Sequence, residues 1–173
     1  DLRTAISLSP DHISWYQLTI EPNTAFHSKP PKLPQDEVLW DIQDQGSQLL
    51  ADAGYKQYEI SAYAKESMQC QHNLNYWQFG DYLGIGCGAH GKITSPEDNQ
   101  IFRTIKVKHP KGYLDKTRDY LDHLNQVSDE ERPFEFMMNQ LRLRQPFSLS
   151  DFENNTGLSK ETIQGKMQQA LSK

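Results

Sequence analysis

The side chains best suited to chemistry are Cys70, His72 and His90, because thiolate and imidazole donors bind transition metals and haem iron. Their spacing is not that of structural zinc, since Cys70-Gln71-His72 is not a usual ligand pair and no second cluster accompanies it. His72 stands in His72-Asn73-Leu74-Asn75-Tyr76-Trp77, where an imidazole is flanked by amides and large rings. Such a set suits a planar apolar ligand with polar edges, and it equally suits a hydrogen-bonded loop histidine over a Trp-capped core. Both readings stay open on the residues alone.

The run Gly86-Cys87-Gly88-Ala89-His90-Gly91 spells GxGxxG, the dinucleotide fingerprint. That fingerprint works only where a helix follows and offers its N-terminus to the pyrophosphate. Lys92-Ile93-Thr94-Ser95-Pro96 cannot begin such a helix, so a dinucleotide site is rejected. The glycines then mark either an extended segment that a flat ligand or another backbone approaches closely, or a bulged edge strand. No nucleophile motif, paired carboxylates or P-loop is found. Residues 148–170 can be scanned as a helix-turn-helix around Asn155-Thr156-Gly157-Leu158. Lys160, Lys166 and Lys173 are matched there by Asp151, Glu153 and Glu161, and a packing module is the better reading.

These residues need elements to hold them. Residues 13–20, ISWYQLTI, are β-branched and aromatic and read as a buried strand closed by Glu21-Pro22-Asn23. A proline-stiffened loop follows to Pro34. Val38, Leu39, Ile42, Gly46, Leu49, Leu50 and Ala53 then fall on one helical face, with Asp36 and Glu37 at its positive end and Gly54 as terminator. A second strand over residues 55–61 completes a βαβ unit, which predicts parallel strands and a site at their carboxyl ends, near residues 19–24 and 61–65. Residues 65–91 read as an aromatic, glycine-rich loop. Residues 92–93 and 102–107 flank Ser95-Pro96-Glu97-Asp98-Asn99-Gln100 as a hairpin, and the remainder reads as helical, including residues 135–144 after Pro133.

Composition narrows the class of partner. With 18 Lys and Arg against 23 Asp and Glu the formal charge is −5, so the chain has no general attraction for nucleic acid or anionic lipid. Hydrophobic residues make up 36%, mean hydropathy is −0.79, and no apolar run approaches the ~20 residues of a membrane span. Two cysteines make no disulfide framework, and a reducing cytoplasm is expected. The first residue is Asp rather than Met, so a processed or excised piece is expected.

Four segments together carry a resemblance: ISWYQLTIEPNT, YEISAYAK, CQHNLNYWQFGDYLGIGCGAHGK and EFMMNQLRLR. They are similar to the oxygen-independent coproporphyrinogen III oxidase-like radical S-adenosylmethionine proteins, and the HNxxYW pattern of residues 72–77 points to their haem chaperone branch. The resemblance implies an α/β fold, with the last strands and helices of an incomplete (β/α) TIM-like barrel over residues 1–108 and a mainly helical domain over 109–173. It implies S-adenosylmethionine, a four-iron four-sulfur cluster and haem as cofactors, haem or porphyrin as the molecule handled, and a haem-accepting protein as a further partner. Position matching places Thr19 and His90 on the S-adenosylmethionine side. It places His72, Asn73, Tyr76 and Trp77 in the haem motif, with His72 as a haem ligand or edge contact. Family members hold their cluster through CxxxCxxC, which these 173 residues do not contain; Cys70 and Cys87 lie too far apart to replace it. This piece alone is therefore expected to perform no radical chemistry. Two other functions fit the same residues: a true oxidase that decarboxylates coproporphyrinogen III, and a structural or interaction module.

Overall fold

A computed structural model describes residues 1–172, which fall into two compact units, residues 1–70 and residues from 71 onward. The first unit opens with α1 (Leu2–Ser7) and β1 (His12–Ser14), then a loop carrying the single-turn α2 (Ala25–Ser28). Next comes α3 (Asp36–Asp52), as its apolar spacing predicts. Asp36 and Glu37 lie in its first turn, and Gly54 ends it at φ +87°, a conformation that favours glycine. Strands β2 (Lys56–Glu59) and β3 (Ala62–Ala64) follow as a hairpin.

The expected parallel βαβ pairing is not what forms. Strand order is β1-β3-β2, and β3 is antiparallel to both neighbours. Thus β1 and β2 run the same way, as the α3 crossover requires, but the chain turns back at Ile60–Ser61 and inserts β3 between them. The expected strand over residues 13–20 is also shorter. β1 ends at Ser14, opposite Ala62, and only one further ladder bond, from the Trp15 N–H to the Ser61 carbonyl at 2.8 Å, extends it. A β-branched run stays extended in a sheet only while a partner strand lies beside it. Trp15 instead packs against α3, where a Cβ on Gly46 would lie 2.0 Å from its ring; that contact is why residue 46 has no side chain. Ile13, Leu50, Tyr55 and Tyr63 form this unit's core, and the Tyr63 hydroxyl is held at 2.9 Å from Ser47 Oγ.

The second unit starts with α4 (Gln71–Trp77), so the HNLNYW segment is a helix and not the expected loop. Its period was hidden because Leu74 is its one buried apolar residue. Gly86 and Gly88, both at positive φ, turn the chain into β4 (His90–Thr94). A strand rather than a helix follows the glycine run, in agreement with rejection of a dinucleotide site. β4 pairs with β5 (Ile101–Lys106) in the expected hairpin. After the single-turn α5 (Pro110–Tyr113), β6 (Leu121–Val127) pairs antiparallel with β5. The expectation that everything after the hairpin is helical therefore fails at β6. Asp122, His123, Asn125 and Gln126 give it no apolar alternation; it is a strand because the open edge of β5 supplies its hydrogen bonds. The sheet β4-β5-β6 also spans the expected boundary between residues 108 and 109.

The chain closes with α6 (Arg132–Gln140), α7 (Leu149–Thr156) and α8 (Glu161–Leu171). Pro133 sits in the first turn of α6, where its missing N–H costs nothing, and the helix ends before the expected residue 144. Ser148 and Asp151 form a capping box on α7, and Gly157 at φ +71° ends it. Phe79, Ile101, Val127, Phe136, Phe152 and Ile163 make the core, with Phe136 edge-on to Phe79, Phe147 and Phe152 at 5.2–5.9 Å. Among the described residues, no helix is long and apolar enough to cross a membrane.

Candidate functional site

The helical spacing of α4 puts His72 and Tyr76 one turn apart on the same face. Their rings meet edge to face at 4.8 Å, and the His72 side chain is exposed. Tyr76 in turn stacks on Tyr82, with centroids 4.0 Å apart and planes 29° apart. Tyr82 lies before β4 and is tied to it by reciprocal backbone bonds with Lys92 at 2.9 and 3.0 Å. Its hydroxyl accepts a 3.2 Å hydrogen bond from Arg103 of β5. Arg103 also donates twice to Glu135 Oε2 of α6, at 3.1 and 2.5 Å. Burial raises the Tyr82 pKa, against the opposing pull of the Arg103 charge, so the phenol stays protonated at neutral pH.

On the far side of this array is a cavity of about 440 Å³ between the sheet and α6. His90 and Ile105, cross-strand neighbours in the β4–β5 register, form the sheet wall. Glu131, the N-cap residue of α6, and Phe134, Glu135 and Met138, at helical spacing on it, form the other. Phe134 and Met138 are 70% and 53% exposed, which leaves a large apolar opening beside the imidazole of His90. Tyr82 belongs to both the stack and the cavity, and so it joins the HNLNYW helix to the end of the glycine run.

The remaining expected residues are placed as follows. Trp77 receives the Arg142 guanidinium over its ring at 4.2 Å, and the Trp77 Nε1 and Arg142 Nε atoms are buried without hydrogen-bond partners among the described residues. Asn73 lies on α4 and is half-buried. Thr19 is exposed in the segment beyond β1, in the first unit. Beneath the site, Lys92 is buried and donates to Asp81 Oδ1 at 2.7 Å and to Thr94 at 3.3 Å, with its ammonium 4.4 Å from the Phe79 ring. Sequence reasoning did not single out Tyr82, Arg103 or Glu135. No motif spacing links them, because they come from a loop, a central strand and a helix that only the tertiary fold brings together.

Among the described residues, no group of three or more His, Cys, Asp and Glu side chains could hold a metal ion. The residues present therefore do not fit an iron–sulfur cluster. They do fit a flat aromatic molecule: an exposed imidazole, a stacked ring pair and an apolar cavity mouth supply an iron donor and flat surfaces.

A family model described as the HemN C-terminal domain matches residues 127–172. In structure the chain is similar to a solved coproporphyrinogen III oxidase, HemN, of Escherichia coli, a radical SAM enzyme, with a TM-score of 0.65 and 17% identity over 91% of this chain and 39% of that one. The chain is a mixed α/β protein that shares the fold of that enzyme's chain and matches the HemN C-terminal domain over its last part. In sequence it is 58% identical to heme chaperone HemW of Haemophilus influenzae over 171 residues, and 55% identical to that of Escherichia coli over 172. Each match covers 99% of this chain, and heme chaperone HemW of Bacillus subtilis is 35% identical over 91% of it. The chain matches the C-terminal portion of these HemW proteins. It spans 44–45% of the length of the first two of these relatives.

Proposed function

We propose that this chain is the haem-facing part of a haem chaperone of the radical S-adenosylmethionine family. The observation that carries the reading is the array His72–Tyr76–Tyr82, which ends at the cavity that holds His90. In this reading haem is cargo. Tyr76 and the apolar cavity mouth offer it flat surface, Asn73 and Trp77 frame the helix that presents His72, and the His72 imidazole meets the iron or the porphyrin edge. The first unit supplies the last strands of a (β/α) barrel, a reading favoured by the common direction of β1 and β2 across the α3 crossover, with the antiparallel β3 as an insertion between them. His90, at the start of β4, lies toward S-adenosylmethionine, which supplies the radical chemistry of such proteins when it is bound at a cluster. The cluster ligands belong to other residues of the whole protein, and a haem-accepting protein in the cytoplasm is the proposed destination of the cargo.

The test is haem titration of the full-length protein alongside a thermal melt. A folded His72→Ala variant is expected to lose haem affinity and shift its Soret band. Unchanged affinity and spectrum in that variant would remove His72 from the site and leave the motif as scaffolding. Conversion of coproporphyrinogen to protoporphyrinogen by the full-length protein would instead favour an oxidase.

A further inference from the structure

A ring that carries a ligand works only if its own plane is held, and the structure shows what holds Tyr76. One edge of that ring meets the His72 imidazole, and one face lies on Tyr82 at 4.0 Å. Tyr82 is restrained at both ends. Its backbone is zipped to Lys92 of β4 by two hydrogen bonds, and its hydroxyl is gripped by Arg103 at 3.2 Å. Arg103 is aimed by Glu135, so the plane of Tyr82 is referred to α6, a helix of the matched HemN C-terminal domain. The guanidinium is also 5.8 Å from the Phe79 ring in the core, which limits its own rotation. Strands β4 and β5, with α6 acting through Arg103, thus restrain one phenol on which Tyr76 stacks.

We propose that Tyr82, clamped by the Arg103–Glu135 pair, is a positioning residue for haem: it sets the plane of Tyr76 and, through it, the imidazole of His72. This rests on the haem reading above. It adds that the C-terminal domain helps to set haem geometry through α6, without a residue of its own on the iron. A purely structural stack would affect stability alone, whereas a positioning stack must also leave a mark on the haem spectrum.

The experiment uses full-length protein, haem titration with Soret spectra, and a thermal melt for each variant, with His72→Ala in parallel. Tyr82→Leu removes the stacking ring and is expected to weaken haem binding roughly three- to ten-fold, the scale of one lost aromatic pair, and to shift the Soret band. Tyr82→Phe deletes the hydrogen bond to Arg103 alone, whereas Arg103→Gln deletes it together with the ion pair to Glu135. Both are expected to shift the spectrum in the same direction and less than Tyr82→Leu does, with the double variant no worse than Arg103→Gln. A folded Tyr82→Leu variant with wild-type affinity and band overturns the proposal. If that variant does not fold, Tyr82→Phe and Arg103→Gln decide, and an unmoved spectrum in both overturns it. A protein whose spectrum responds to His72→Ala but to none of these refutes the positioning role alone; one that binds no haem refutes the haem reading and this role with it.

Discussion

Removing the carboxylate of Asp81 is expected to cost the second unit more than removing the lysine it serves. Lys92 is 2% exposed, whereas its partner Asp81 is 43% exposed, so the two ends of this ion pair depend on each other unequally. Without Lys92, Asp81 still accepts from the Thr94 N–H at 2.7 Å and the Thr94 hydroxyl at 2.8 Å, and water reaches the rest. Lys92→Met fills nearly the same volume with apolar atoms, and such replacements of buried charge are often neutral, so a change within about 1 kcal/mol is expected. Asp81→Ala leaves a buried ammonium in contact with Thr94 and the Phe79 face, with the Glu135 charge acting from farther off. Breaking one side of a buried pair costs ~3–5 kcal/mol, and because those two contacts remain, about 3 kcal/mol is expected. The sign of the pH dependence gives a second check. Burial already lowers the Lys92 pKa despite the Asp81 bond, and loss of the carboxylate lowers it further. The unfolded chain then binds the proton more tightly than the folded one, so Asp81→Ala gains stability as pH rises toward about 10. Lys92→Met has no such alkaline gain. Urea denaturation of the three proteins at neutral and alkaline pH measures both effects. A larger loss for Lys92→Met than for Asp81→Ala would show that the asymmetry of burial does not govern this pair.

Other perturbations have equally definite expected outcomes. A Cβ on Gly91 would lie 2.6 Å from Thr104 Oγ1 and 3.2 Å from the Tyr82 carbonyl, so Gly91→Ala is expected to cost ~1–3 kcal/mol in a melt and to disturb the Tyr82 segment. Ser148→Ala opens the capping box of α7 and is expected to cost about 1 kcal/mol. The same box gives an acid limb: hydrogen bonds from the Ser148 backbone and side chain lower the Asp151 pKa, so the stability they supply is full above about pH 4 and is lost as pH falls through the folded value. Anaerobic reconstitution of this chain alone with iron and sulfide is expected to leave it colourless, and stoichiometric cluster absorbance with formation of 5′-deoxyadenosine would refute that.

Local signals were legible where one short segment contained the whole physical reason. The length of α3 follows from apolar spacing, acids at its first turn and Gly54 at its end, and the β4–β5 hairpin follows from two apolar runs around a turn-rich link. The HNLNYW pattern singled out His72 and Tyr76, and the glycine run singled out His90, which the structure places at the start of β4. What could not be read was pairing. β3 slips between β1 and β2 because a two-residue turn is available at Ile60–Ser61, and β6 forms from polar residues because β5 offers an edge.

The sequence by itself determined the likeness to HemW proteins, the helix and turn signals, and the ring-bearing residues of α4, since each depends on residue type and near-neighbour spacing. Only the tertiary structure decided which rings those residues meet. Tyr82, Arg103 and Glu135 are separated by 21 and 32 residues along the chain, and they become one array because the sheet and α6 pack on a shared core around Phe79 and Phe136. Contacts between segments that distant are chosen by burial and hydrogen-bond completion in the whole unit, which no local pattern records.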